Sequence, residues 1–219
     1  MELRDFESIA SQLRNPHGDQ GLEVGRMMNK GNQLMNLAAI HLLNPRANDH
    51  ILEIGMGNGF FVKDILEKDS RIHYTGCDIS EIMLREAISN NREFIKSGQA
   101  EFLKADIKRL PFKNASFNKI LTVNTIYFWE NLEAVFEEIK RVLTKNGSLI
   151  ICLRPKSVLD NLPMTQYGFK TFSKGKCIEL LSNAGFLQIT IDEKEDTDIE
   201  ISGEKFKNAY LLVKGIKPT

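Results

Sequence analysis

The chain has 219 residues, with 29 Lys+Arg against 29 Asp+Glu and a formal net charge of zero. Its 42% hydrophobic and 26% charged residues exclude a disordered chain, which would combine low hydrophobicity with large charge. No global Lys/Arg excess exists to neutralise phosphates, so charge gives no argument for a nucleic-acid partner.

In chain order, the first segment MELRDFESIA is too charged for a signal peptide. Asn15–Gly25 is rich in glycine and polar residues and reads as a loop. Arg26–Leu43 reads as an amphipathic helix with Leu34, Leu37, Ala38, His41 and Leu42 on one side, ending at Asn44-Pro45. From Ile51 to about Lys214 short apolar runs alternate with helical patterns. The runs are Ile51–Ile54, Ile72–Cys77, Glu101–Leu103, Lys119–Val123 and Ser148–Leu153. Such alternation predicts βαβ units around a mainly parallel sheet. Strands covered on both faces explain an unbroken apolar run such as LIICL.

Glu130–Leu143 predicts the best-defined helix, with Leu132, Val135, Phe136, Ile139, Val142 and Leu143 in one stripe and Asn146-Gly147 ending it. Pro155–Phe172 is long for a connection and reads as a lid. Ser173 caps a helix that stops at Gly185. Phe186–Ile191 and Ala209–Val213 read as a hairpin at one sheet edge, joined by the acidic stretch Asp192–Glu204.

Cys77, Cys152 and Cys177 form no disulfide framework or zinc spacing, and the four histidines are scattered. We expect buried free thiols, no metal, and no stable membrane insertion, since no apolar run nears the ~20 residues of a membrane span. The expected location is the cytoplasm.

The most informative stretch is Ile51–Phe61, ILEIGMGNGFF. An apolar strand ends in Gly55-Met56-Gly57-Asn58-Gly59 and a helix follows at once. Glycines there permit a tight turn and close approach of a ligand to the backbone, beside the free N–H groups of a helix start. Glu53 precedes the turn. Asp78 ends the second apolar run and Asp106 follows the third. Strand carboxyl ends line the ligand crevice of open α/β sheets, and an acidic residue about 20 residues past the glycine turn meets ribose hydroxyls there. Three carboxylates at one sheet edge suit a cationic, hydroxyl-bearing ligand. A dinucleotide fingerprint would need its third glycine at Phe60, and Glu53 would oppose a pyrophosphate.

These motifs resemble those of class I S-adenosylmethionine-dependent methyltransferases, of the small-molecule type similar to ubiquinone/menaquinone-biosynthesis and related "type 11" enzymes. ILEIGMGNG, GCDISEIML, KADIKRLPF, FNKILTVNTIYFW, RVLTKNGSLII and IELLSNAGF carry the resemblance, in order. It implies a doubly wound, mostly parallel seven-stranded sheet over residues 46–219 with an antiparallel C-terminal hairpin. Residues 1–45 would cap the substrate site and 155–172 would be its lid. It further implies S-adenosylmethionine as cofactor. Glu53, Gly55, Met56, Gly57 and Gly59 would hold its methionine part, and Asp78, Ile79 and Met83 its ribose and adenine. Asp106 and Ile107 would meet the adenine edge, and Asn124 would lie under the sulfonium.

Asn124-Thr125-Ile126-Tyr127 departs from the Asn/Asp-Pro-Pro-Tyr motif that such enzymes use on amino groups of bases, which speaks against nucleic-acid methylation. The expected acceptor is a small molecule, methylated by in-line displacement. Tyr127 and His17 are the candidate catalytic side chains, and Met27, Met28 and Met35 a candidate substrate wall. Arg154 is either an anchor for an anionic acceptor or part of a surface salt bridge. The competing readings are an NAD(P)-dependent oxidoreductase and a non-catalytic module that binds the same cofactor.

Overall fold

The computed structural model describes residues 5–201 and 203–219. Three helices come first: α1 Phe6–Arg14, α2 Gly18–Gly31 and α3 Gln33–Leu43. Strand β1 His50–Ile54, α4 Val62–Leu66, β2 His73–Asp78, α5 Glu81–Asn90, α6 Arg92–Lys96 and β3 Ala100–Lys104 follow. Then come β4 Phe117–Val123, α7 Leu132–Val142, β5 Leu143–Leu153, α8 Lys156–Leu159, α9 Lys174–Asn183, β6 Leu187–Ile201 and β7 Glu204–Ile216.

The strands form one seven-stranded sheet in the order β3-β2-β1-β4-β5-β7-β6. β3 to β5 pair in parallel, and β7 runs antiparallel to both β5 and β6. The mostly parallel sheet with its terminal hairpin is the architecture that the sequence motifs imply.

Strand side chains divide strictly by parity. Leu52, Ile54, Ile120, Leu149 and Ile151 meet α7 and α9 on one face. Ile51, Leu121, Ile150 and Cys152 meet α3 and α4 on the other. Both faces are thus covered, which is why these strands read as unbroken apolar runs. The strand order reverses between β1 and β4, and the crevice at their carboxyl ends is where open α/β sheets bind ligands.

The N-terminal segment departs from expectation. Asn15–Gly25 is not a loop: α2 begins at Gly18 and runs through it. Two of its glycines, Gly21 and Gly25, serve close packing. A Cβ on Gly21 would stand 3.0 Å from the Pro16 carbonyl carbon, and one on Gly25 would stand 2.8 Å from Met83 Cε. Arg26–Leu43 is two helices, because Asn32 breaks from helical geometry (φ −115°, ψ 11°) and resets the phase. The buried face of α3 is therefore Met35, Ala39, Ile40 and Leu43, whereas Leu34 and Leu37 are 49% and 38% exposed. Met35→Ala should cost about 2–5 kcal/mol in denaturant unfolding, while Leu34→Lys should stay within about 0.5 kcal/mol. Equal losses would restore the opposite face as the packed one.

α7 stops at Val142, four residues before Asn146-Gly147. Its last carbonyls are taken by other partners. The backbone N–H groups of Ala115 and Ser116 bond Arg141 and Val142, and Lys217 Nζ lies 2.7 Å from the carbonyls of Lys140 and Leu143. Asn146, at φ 60°, donates its N–H to the Lys217 carbonyl, so that dipeptide bends a strand rather than ending a helix. The acidic stretch Asp192–Glu204 is itself largely edge strand, β6, paired along its length with β7. Charged side chains on an edge strand discourage pairing with another chain. Residues 155–172 hold α8 and a short 3₁₀ turn, and Val158, Leu159, Leu162 and Phe172 join the core. Ser173 caps α9 by accepting the Lys176 N–H, and Gly185 follows at φ 80°.

Cys77, Cys152 and Cys177 are all buried and free, and burial pushes the Cys77 thiol up to about 12. No helix among the described residues is long and apolar enough to cross a membrane.

Candidate active site

The turn after β1 takes three left-handed glycines, Gly55 (φ 73°), Gly57 (φ 59°) and Gly59 (φ 66°). A Cβ on Gly55 would collide with the Thr125 side chain, and one on Gly59 with Asn91 and Ala87 of α5. Gly57 faces open space instead. Gly59, not position 60, is thus the close-packing residue, and Phe60 points outward at 46% exposure. The following helix starts only at Val62 and has five residues.

These elements surround a cavity of about 220 Å³. Glu53, Gly55, Met56, Gly57, Asp78, Ile79, Met83, Asp106, Ile107 and Asn124 all line it. Gly59 stands behind the lining. The other wall comes from the N-terminal helices, through Leu13, Arg14, Pro16, Gly25, Met28, Asn29, Asn32 and Asn36. Of these, sequence reasoning singled out Met28 alone, and it did not find Thr125 or Glu130. The link that seats this wall is the Ser80 hydroxyl, which caps α5 by accepting the Met83 N–H and donates to the Pro16 carbonyl.

Glu53 is 5% exposed, and Tyr74 Oη donates to its Oε2 at 2.6 Å. Register places Tyr74 opposite Ile51 on the neighbouring strand, within reach of Glu53. Burial is the main force on Glu53 and raises its pKa to about 7. The Tyr74 hydrogen bond opposes this and the Asp78 charge adds to it. A carboxylate so poor in compensation gains most from a cation brought into the cavity. Asp78 accepts the Gly57 N–H at 3.0 Å and the Ser80 N–H at 2.8 Å. Burial raises its pKa and those backbone bonds oppose the rise. It therefore clamps the glycine turn while keeping lone pairs for a ligand, since a carboxylate offers about four acceptor positions. Asp106 sits exposed at the rim, with Lys108 N–H on its Oδ1.

Asn124 follows β4 directly, in the left-handed region (φ 57°). Tyr127 donates its hydroxyl proton to Asn124 Oδ1 at 2.8 Å and accepts the Arg154 N–H. Tyr127 is buried, and burial carries its pKa well above the ordinary value. Its geometry is that of a residue positioning Asn124. His17 is exposed at the N-cap of α2, with Nδ1 2.8 Å from the Asn15 carbonyl, and does not line the cavity. Of the three methionines, Met28 lines the cavity, Met27 is 49% exposed, and Met35 is fully buried. Trp129 packs on Phe136 in the core and also reaches the lining.

Arg154 is neither at the surface nor free. At 8% exposure it bonds Asp196, Asn208, the Gly31 carbonyl and Asn32 Oδ1. It ties the α2–α3 corner to β5 and the terminal hairpin.

Residues 52–151 match the sequence model of a methyltransferase domain. Over that segment the chain is similar to methyltransferase domains. An uncharacterised methyltransferase of Bacillus subtilis, YdaC, is 29% identical over 172 residues, covering 78% of this chain and 90% of that one. The ubiquinone/menaquinone biosynthesis C-methyltransferase of Rhizobium leguminosarum is 31% identical over 117 residues, 52% of this chain and 45% of that one. Among solved structures, phosphoethanolamine N-methyltransferase 2 of Haemonchus contortus, in complex with S-adenosyl-L-methionine, superposes with a TM-score of 0.73. That match covers all of this chain and 61% of the other at 16% identity, a likeness of fold. In the matched segment, the carboxylates and the glycine turn stand where the strand order reverses, and the helices before it close the cavity.

Proposed function

We propose that this protein is an S-adenosylmethionine-dependent methyltransferase acting on a small molecule. The observation that carries the proposal is the acidic cavity itself: buried Glu53 beneath the glycine turn, Asp78 beside it and Asp106 at the rim. Glu53 and the turn take the cationic methionine portion, Asp78 the ribose hydroxyls, with Ile79, Met83 and Ile107 against the adenine. Asn124 sits under the sulfonium. Residues 5–45 cap this site, and 155–172 serve as its lid. The protein works in the cytoplasm, a setting that suits three buried free thiols.

The reaction is an in-line displacement. Holding the nucleophile and methyl group in line can supply roughly 7–11 kcal/mol of the barrier. Tyr127 fixes the Asn124 amide, and the cap excludes water. When bound, the cofactor supplies an electrophilic methyl group on a cationic sulfur.

Calorimetric titration with S-adenosylmethionine tests the reading, with NADH as control. Donor binding without NADH binding is expected, and the reverse would establish the oxidoreductase. Asp78→Ala should weaken donor binding by about 1.5–3 kcal/mol, the scale of hydrogen bonds to a charged group. Unchanged affinity would remove Asp78 from the ribose role.

A further inference from the structure

A second cavity of about 150 Å³ opens beside the first and shares Leu13, Met28, Asn32, Asn124 and Phe128 with it. Its wall is apolar, built from Leu13, Leu159, Leu162, Met164 and Phe169. An apolar cavity of about this size holds a benzene-sized group.

Its charged and hydroxyl side chains are already committed, and its two amides, Asn32 and Asn124, supply neither base nor cation. Arg154 is held by Asp196, Asn208, Gly31 and Asn32. Thr165 Oγ1 lies 2.7 Å from the Leu159 and Leu162 carbonyls. Tyr127 is bonded to Asn124 and Arg154. Among the described residues, no His, Asp, Glu or Lys belongs to this lining. Glu130, at the mouth of the first cavity, is paired with Arg14 and Lys108.

This inventory restricts the acceptor. An acid or phosphate finds no free cation. An alcohol needs a base to take its proton, and none is in place. An amine would become a fixed cation in an apolar chamber whose nearby carboxylate, Asp196, is taken, and an unpaired buried charge is costly. A thiol needs no such help, because it ionises partly near neutral pH and is intrinsically nucleophilic. Its thiolate and the donor's sulfonium cancel their charges on reaction, and attraction between opposite charges grows as the surroundings become less polar.

Resting on the reading above, we infer that the second cavity is the acceptor chamber and takes a ring-sized apolar thiol. The thiol gives its proton to bulk water before the chamber closes over it, and the donor's sulfonium offsets the cost of burying the thiolate. A sulfur lone pair forms the new S–CH₃ bond while the donor's C–S⁺ bond breaks. That electron pair stays on the donor sulfur, giving S-adenosylhomocysteine and a neutral methyl thioether.

The test offers benzyl mercaptan, benzyl alcohol and benzylamine to the full chain with S-adenosylmethionine. Product mass and S-adenosylhomocysteine release are read. Thioether should form at least roughly tenfold faster than either other product. Faster methylation of the amine or alcohol overturns the proposal. So does no thioether while calorimetry shows the donor bound. Absent donor binding instead overturns the underlying reading, and the proposal falls with it. Met164→Trp, which fills the chamber, should raise the mercaptan KM roughly tenfold or more. Its donor Kd should stay unchanged, which also reports an intact fold. An unchanged mercaptan KM places the acceptor elsewhere and overturns the proposal.

Discussion

Glu53→Gln is expected to stabilise the unliganded protein at pH 8 while weakening donor binding. Folded Glu53 has its pKa raised to about 7 from 4.5, chiefly by burial. Between those values the folded state holds a proton that the unfolded state has released, so stability falls as pH rises. A shift of that size corresponds to about 3 kcal/mol, absent below about pH 4.5 and complete above about pH 7. Glutamine keeps an oxygen for the Tyr74 hydroxyl and carries no charge to desolvate. Denaturant unfolding of both proteins across pH 4–8 should show curves that meet in acid and separate toward neutrality. A cationic donor supplies the missing partner, so its affinity for the native protein should rise with pH toward about 7. In the variant it should be weaker by about 1.5–3 kcal/mol and flat with pH. Parallel stability curves would show that Glu53 is ionised at little cost, and the balance between stability and binding would be lost.

Arg154→Met should destabilise the protein by about 3–5 kcal/mol, since it leaves Asp196 buried without its cation. For a chain of this size, that lowers Tm by roughly 10 °C. The Asp196 side chain is 5% exposed and that of Arg154 10%, so solvent compensates neither. Adding Asp196→Asn to the Arg154→Met protein should recover about 1 kcal/mol or more, because the stranded charge is removed. A loss under about 1 kcal/mol in the single variant would mean that this clamp does not hold the hairpin to the α2–α3 corner. The same substitution frees Gly31 and Asn32, so the cap should also loosen and amide exchange in α2 should quicken.

The sheet was legible because its strands are covered on both faces, and LIICL can only be a strand buried twice. The glycine turn was legible because Gly55, Gly57 and Gly59 each adopt a positive φ that side chains resist. Asp78 and Asp106 were found because strand ends bring such residues to one edge. The start of α2 was not legible. Gly18, Gly21 and Gly25 read as loop from propensity alone; Gly18 takes a positive φ at the helix start, and only contact with Pro16 and Met83 explains Gly21 and Gly25. The face of α3 was reversed because the break at Asn32 shifts the helical phase, and an apolar pattern of Leu34 and Leu37 carries no mark of where a helix restarts. Tyr74 escaped notice because nothing near residue 74 points to Glu53.

The sequence by itself determined the α/β alternation, the glycine turn, the helix cap at Ser173 and the acids at the strand ends. Each depends on periodicity, backbone conformation or capping within a few neighbouring residues. Tertiary structure alone decided that Tyr74 meets Glu53, that Arg154 is buried, and which side chains of the N-terminal helices wall the cavity. Those contacts join residues 21 to 123 positions apart. Packing selects such pairs from many chemically equivalent ones, and local patterns do not distinguish among them.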